Sequence, residues 1–370
     1  MTRNIRATHI IRKAVIGGTV ALTALSAAAV AGASTKVTVS APPSTAVTLA
    51  ETGSSLLYPL WNLWEPAYTH AYPTVTLSTA STGSGAGISQ TLQGTADIGA
   101  SDAYMSPTQF ATNKHALNIP LAISSQFIGY NVPGIKNLKL SGKVISAIYQ
   151  GKITKWNASA IAKLNKGVTL PSTPIVTIHR SDGSGDTFLF SQFLSDTDPS
   201  GWGAKIPFGT TVPWPNVSSA LAETGNSGML AGCKSTPGCI AYIGVSYLQK
   251  AEVDGIGEAK LENKAGQFEL PTPAAVSASA NSFTSKTPSG GTISMIDSSA
   301  KGAYPIVNYE YAIVVDNQSS ATTAAAIRSV LEWAVSPAQG SASSFLDAVN
   351  FEPLPSKVVA QSVKQIKKIK

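Results

Sequence analysis

Charge is scarce in this sequence. Only 13% of its 370 residues are Asp, Glu, Lys or Arg, roughly half the ~25% of an ordinary soluble domain. With 43% hydrophobic residues beside it, this composition excludes a disordered chain, which needs low hydrophobicity and high charge. Arginine is rarer still: there are five, and three of them, Arg3, Arg6 and Arg12, stand at the amino end. The four histidines, His9, His70, His115 and His179, are scattered without paired spacing, so neither a metal site nor a cofactor is expected. No Gly-x-Ser-x-Gly elbow, phosphate-binding Gly-x-x-x-x-Gly-Lys-Ser/Thr loop or His-Glu-x-x-His motif occurs, and Gly142-Lys143 is followed by Val144. An enzyme is therefore not expected.

What charge there is lies unevenly. The formal net charge is +7, but Arg3, Arg6, Arg12 and Lys13 account for four of these positive charges. Lys357, Lys364, Lys367, Lys368 and Lys370 account for five more, which leaves the body at −2. A near-neutral body disfavours nucleic acid as a partner. The basic amino end precedes the uncharged, small and apolar run Ala14–Ala33, closed by Ala31-Gly32-Ala33. This order reads as a secretory signal over residues 1–33, cleaved after about Ala33. The alternative is an uncleaved anchor, because twenty residues just span a bilayer. No Cys follows the run, so a Cys-anchored lipoprotein is not expected. No later stretch has 18 consecutive apolar residues. The Lys-rich tail reads as a solvated helix end or as a surface for an anionic envelope.

Export bears on the two cysteines, Cys233 and Cys239 in Gly-Cys-Lys-Ser-Thr-Pro-Gly-Cys, for which a disulfide is the expectation outside the cytoplasm. The chain beyond residue 33 is too long for one ordinary core, so two lobes are expected. Ser34–Thr45 reads as a linker. Strands are expected at Ala46–Ala50, Thr74–Ser78 and Asp97–Ala100. Helices are expected from Ser55 toward His70, with Pro66 bending or ending the first, and at Ser84–Leu92. This alternation indicates a mostly parallel sheet. Two long apolar stretches, Ile119–Tyr130 and Pro305–Val315, are candidate crossings between lobes. Further helices are expected at Ser141–Tyr149, Ala158–Leu164, Asp186–Leu194, Ala274–Phe283, Ala321–Val335 and Ala342–Val349. The tryptophans Trp61, Trp64, Trp156, Trp202, Trp214 and Trp333 read as packing residues rather than a sugar-stacking cleft.

The chemistry lies in three Gly/Ser loops, each leading into a helix: Glu51–Leu60, Ser81–Ile88 with Ala96–Ala103 after it, and His179–Phe188. A helix amino end carries unpaired N–H groups and the positive end of the dipole, and therefore binds anions. Glycine allows close backbone approach, and a capping Ser adds a hydroxyl. Arg180 closes the apolar strand Ile175–Ile178 just before the third loop, and a guanidinium suits phosphate or carboxylate. Asp182 is a candidate partner for it. Arg328, among alanines, reads as a surface residue.

These loops, together with Gly232–Gly244, resemble those of the phosphate-binding protein of the phosphate-specific ABC transporter, a periplasmic-binding-protein family, in particular its mycobacterial lipoprotein type. The resemblance runs from about Val47 to Leu354. It implies an α/β, two-lobe Venus-flytrap fold with a two-strand hinge and one discontinuous lobe: residues 46–125 and 305–370 in lobe I, 126–304 in lobe II. It implies inorganic phosphate as ligand, bound by Ser55 and Leu56, Ser84, Asp102, Arg180, Ser184, Gly185 and Asp186, with Asp182 orienting Arg180. It also implies permease subunits of a phosphate ABC transporter as partners, an extracytoplasmic location and a monomer. Where many relatives carry Thr, this chain has Asp186, which reads either as a second acceptor favouring the monoanion or as a cap or partner of Arg180. Asp102 supplies a physical criterion: an ionised carboxylate only accepts hydrogen bonds, and phosphate at neutral pH carries a proton where sulfate has none. The alternatives are a binder of another oxyanion and a secreted phosphoester hydrolase.

Overall fold

Gly53 ends the first strand with a backbone φ of +142°, and a Cβ there would lie 2.0 Å from the Ala100 carbonyl oxygen. Only glycine allows the chain to turn so close to its neighbour. In the computed structural model, which describes residues 36–370, this strand is β1 (Val47–Gly53) and leads to α1 (Tyr58–Ala71). β2 (Val75–Ser81) then leads to α2 (Ser84–Leu92), and β3 (Ile98–Ser101) to α3 (Pro107–Thr112). The expected signal segment lies outside the described residues.

β4 (Ala116–Tyr130) is buried along its whole length. It is followed by β5 (Lys139–Leu140), α4 (Gly142–Tyr149), α5 (Ser159–Leu164), β6 (Val176–Arg180) and α6 (Gly185–Thr197). Next come β7 (Leu221–Glu223), α7 (Gly225–Ser235), β8 (Cys239–Gly244), α8 (Leu248–Val253), β9 (Gly257–Glu258), β10 (Lys260–Glu262) and β11 (Phe268–Glu269). The chain ends with α9 (Pro273–Phe283), β12 (Val307–Val315), α10 (Ala321–Ala334), α11 (Ser343–Leu346) and α12 (Ser356–Ile366).

The main sheet runs β2-β1-β3-β12-β4-β8-β6-β7. Its two wings are parallel, β1 with β2 and β3, and β6 with β7 and β8. The centre departs from the expected parallel pattern: β12 is antiparallel to β3 and β4, and β4 to β8. The reason is connectivity, since β4 carries the chain out of the first wing and β12 brings it back. β4 pairs with β12 over Ala116–Ser125 and with β8 over Gln126–Tyr130. The fold is thus a two-lobe α/β arrangement with a two-strand connection, and α10 and α12 return to pack on β1 and β4.

Several local expectations are modified. α1 begins at Tyr58, after a turn over residues 55–57, and continues through Pro66. Pro66 and Asn62, whose carbonyl loses its partner, are both exposed, so water replaces the missing N–H bond. Residues 342–349 split into the short α11 and a 3-10 turn, Asp347–Val349, ending at Asn350 with φ +56°. Arg328 is half-buried and donates to the Ile369 carbonyl at 2.5 Å, tying down the carboxyl end. In the tail, Val358, Val359, Ile366 and Ile369 are buried while the five lysines face solvent. Trp61, Trp64 and Trp333 pack edge to face, with Trp64 Nε1 donating to the Gly340 carbonyl at 2.8 Å. Cys233 and Cys239 form a disulfide between the end of α7 and the start of β8.

Candidate functional site

The first Gly/Ser loop is organised by Ser54. Its hydroxyl oxygen accepts the N–H groups of Leu56 (3.1 Å) and Leu57 (2.9 Å) and donates its own hydrogen to Asp102 Oδ1. Ser54 thereby passes the donor character of a helix amino end on to a carboxylate. Ser84, the first residue of α2, approaches the other oxygen: Ser84 Oγ is 3.3 Å from Asp102 Oδ2, and it accepts the Asp102 N–H at 3.2 Å. Asp102 is buried. Burial pushes its carboxyl well above the usual carboxylate range, with Glu310 and Asp186 adding to the rise.

The third loop closes against the second. Gly85 N–H donates to the Gly183 carbonyl at 2.9 Å. A Cβ on Gly185 would lie 2.4 Å from Asp102 Oδ2 and 2.5 Å from Ser84 Oγ, so the amino end of α6 comes to rest directly on that pair. Ser184 caps α6 by accepting the Thr187 N–H at 3.3 Å. With Gly85 N–H taken by Gly183 and Thr187 N–H by Ser184, the other early amides of α2 and α6, those of Ser84, Ala86, Gly185 and Asp186, have no carbonyl partner within their own helices.

Arg180 is held by two aspartates. Its Nε donates to Asp182 Oδ1 at 2.6 Å, one terminal nitrogen donates to Asp182 Oδ2, and the other donates to Asp186 Oδ2 at 2.9 Å. A guanidinium has five N–H donors, so these three bonds leave two for a ligand. Burial opposes the charge, but the two aspartates outweigh it and hold the guanidinium above its ordinary pKa. For Asp182, burial is likewise outweighed by Arg180, and its carboxyl lies below the usual range. Asp186 is more deeply buried, and burial keeps its carboxyl raised in spite of Arg180.

Asp186 is also committed elsewhere: its oxygens accept Gln126 Nε2 at 3.0 Å and Asn226 Nδ2 at 2.7 Å. That geometry matches the partner-of-Arg180 reading rather than an open second acceptor. Asn226 then reaches across to the first loop. Its backbone N–H and Nδ2 donate to Ser55 Oγ at 3.1 and 3.0 Å. With both lone pairs engaged, the Ser55 hydrogen is directed away from Asn226 and available to an acceptor. Leu56 anchors the same turn through its carbonyl, which accepts the Ser246 hydroxyl at 2.8 Å, and its amide is already shared with Ser54. The expected residues Ser55, Leu56, Ser84, Asp102, Arg180, Ser184, Gly185 and Asp186 thus meet in one buried cluster, with Asp182 at its edge.

A model of the PBP superfamily domain matches residues 38–338. The phosphate-binding protein PstS of Methanocaldococcus jannaschii is 33% identical over 298 residues, covering 75% of each chain. Phosphate-binding protein PstS 2 of Mycobacterium tuberculosis is 30% identical over 311 residues, covering 80% of each. The chain belongs to the PstS phosphate-binding protein family. Among solved structures, the phosphate-binding protein of Stenotrophomonas maltophilia superposes with a TM-score of 0.67 at 19% identity, covering 86% of this chain and 94% of that one. This likeness bears on the two-lobe fold.

In this PstS-family chain, five participants escaped the sequence reading: Ser54, Gln126, Asn226, Asn308 and Glu310. Asn308 Nδ2 is 3.3 Å from the Asp102 carbonyl, and Glu310 stands beside it on β12. A signal for Glu310 and Gln126 existed, namely a polar side chain inside an otherwise apolar crossing strand. Asn226 offered none, because only the fold brings α7 to the first loop.

Proposed function

We propose that this chain is an exported phosphate-binding protein that encloses one inorganic phosphate between its lobes and delivers it to the permease of an ABC importer. The observation that supports this most directly is the buried meeting of Arg180, with two N–H donors to spare, and three Ser-bearing helix amino ends beside the Asp102 carboxylate. Ser55 and Ser84 offer hydroxyls, and the first turns of α2 and α6 offer amides. The Ser55 amide and the Leu56 amide shared with Ser54 complete the first loop. Ser184 and Gly185 serve from the second lobe.

The net charge of this cluster is not positive, so the anion is held by directed donors rather than by a bulk positive field. Asp102 then sets the selectivity. In its ionised form it accepts the proton of bound phosphate in a charge-assisted bond, whereas sulfate presents only acceptors to it. The lobes divide where β4 changes partner, between Ser125 and Gln126. This supports residues 46–125 and 305–370 as one lobe and 126–304 as the other. We place the protein outside the cytoplasmic membrane on the strength of its amino-terminal segment and disulfide, and read it as a monomer by resemblance to the family alone. No described helix is long and apolar enough to cross a membrane.

Equilibrium dialysis against labelled phosphate, run beside an assay for release of phosphate from a model ester, tests the reading. One phosphate retained per chain without turnover supports it. Turnover of the ester points to the hydrolase instead, and retention of sulfate or molybdate in place of phosphate to another oxyanion binder.

A further inference from the structure

Asn226 is the second residue of α7 and is fully buried. Its amide can be oriented in only one way. The Gly244 N–H, at the end of β8, donates at 2.7 Å and can meet only an oxygen, so it fixes Asn226 Oδ1. Nδ2 then has two hydrogens and two acceptors, Asp186 Oδ2 at 2.7 Å and Ser55 Oγ at 3.0 Å. The Asn226 backbone N–H gives Ser55 Oγ a second donor at 3.1 Å. A hydroxyl oxygen has two lone pairs, and both are taken here. Ser55 can therefore only donate. The other serines of the site are committed differently: Ser54 donates to Asp102, Ser84 faces Asp102, and Ser184 accepts the Thr187 N–H.

The same turn of α7 reaches the guanidinium. Asp186 Oδ2, which accepts Asn226, also accepts Arg180 at 2.9 Å. The neighbouring Gly225 N–H donates at 3.2 Å to Asp182 Oδ1, the oxygen that holds Arg180 Nε. Residues 225 and 226 thus touch both aspartates that hold Arg180, and also the first Gly/Ser loop. Ser55 falls in residues 46–125 and Asn226 in residues 126–304. On the lobe division given above, their two bonds cross the cleft and exist only while the lobes are together.

We propose that Asn226 is a positioning residue for anion capture: it makes the Ser55 hydroxyl a one-way donor to the bound anion and joins the first loop of one lobe to the carboxylate that holds Arg180 in the other. This rests on the phosphate reading above and adds a residue that acts through Ser55 rather than on the ligand. Closure itself turns the Ser55 hydrogen toward the anion. Bonds made on closing slow release and leave the encounter rate unchanged.

The experiment is a double-mutant cycle on phosphate binding with wild type, N226A, S55A and the double variant. Equilibrium dialysis with labelled phosphate gives the affinity, and a chase with unlabelled phosphate on rapid filtration gives the release rate. A hydrogen bond to an anion is worth about tenfold or more in affinity. Each single variant is expected to lose about that factor, and N226A to lose it through faster release at an unchanged association rate. The double variant is expected within about threefold of the weaker single one, because Asn226 matters only while Ser55 has a hydroxyl to orient. N226D keeps the oxygen facing Gly244 and draws the Ser55 hydrogen to itself. It replaces N226A should that variant fail to fold, and S55A then adds no more than about threefold to its loss. Losses that multiply to about a hundredfold, or a position-226 variant that binds as tightly as wild type, would overturn the role of Asn226 alone. A loss confined to the association rate marks a merely structural residue and overturns it as well. Absence of phosphate binding by wild type would overturn the phosphate reading and this one together.

Discussion

Asp102→Asn changes one atom of the site and reverses what it asks of the ligand. The amide fits the space of the carboxylate. Its oxygen accepts the Ser54 hydroxyl in place of Oδ1. Its NH₂ faces Ser84 Oγ, 3.3 Å from the present Oδ2, and that hydroxyl turns from donor to acceptor. Folding is therefore little affected. For phosphate, the substitution replaces a charge-assisted hydrogen bond worth about 1.5–3 kcal/mol, a loss of roughly 10- to 150-fold in affinity. For sulfate, it removes a buried acceptor facing another acceptor, a clash of several kcal/mol, and sulfate gains by at least a comparable factor. The preference for phosphate over sulfate falls by about two to four orders of magnitude. Competition of each anion against labelled phosphate, with circular dichroism as the folding control, measures it. A D102N protein that is folded and retains the wild-type preference within a few-fold would refute the acceptor argument.

Other consequences follow from the same contacts. Gly185→Ala places a Cβ 2.4 Å from Asp102 Oδ2; phosphate affinity is expected to fall more than tenfold, with the circular dichroism spectrum unchanged, as measured by dialysis. Replacing Cys233 and Cys239 together by Ser opens a loop of sequence separation 6; in the chain-entropy model the cost is about 2 kcal/mol, read as a lower midpoint in urea unfolding. Asp182 has its folded pKa depressed by Arg180, so its contribution is present above the unfolded value of about 3.9 and is lost as pH falls through the folded one. Acid unfolding of D182N should accordingly show a shallower fall in stability below about pH 4 than wild type. Trp64→Ala removes a fully buried indole and its hydrogen bond to Gly340; a loss of roughly 3–5 kcal/mol in unfolding free energy is expected.

The parts of this protein that were legible in its sequence are those where local chemistry and tertiary role coincide. Gly53 and Gly83 mark turns where backbone approaches backbone, Gly185 lies against the side chains of Asp102 and Ser84, and Ser184 beside it caps the helix that follows. Arg180 was conspicuous because the body has only one other arginine. The helix Ser84–Leu92 was read to the residue because a Gly-rich entry and an amphipathic run agree. What failed did so for physical reasons. Pro66 does not end α1 because its missing bond faces water and its neighbours Trp64 and Tyr68 are anchored in the core. The antiparallel centre of the sheet depends on where β12 returns, which pairing over nearly two hundred residues decides. Asn226 joins the site through the same kind of long-range pairing and no local pattern announces it, whereas Glu310 is marked only as a polar side chain in an otherwise apolar crossing strand.

In the proposed function, one buried site takes phosphate and refuses sulfate because of a carboxylate. This is tested most directly by calorimetric titration of the chain lacking its amino-terminal segment, with phosphate and with sulfate, near pH 7. A single phosphate site and no detectable sulfate binding at the same concentrations are expected. Binding of sulfate with comparable affinity, or no binding of phosphate, would contradict it.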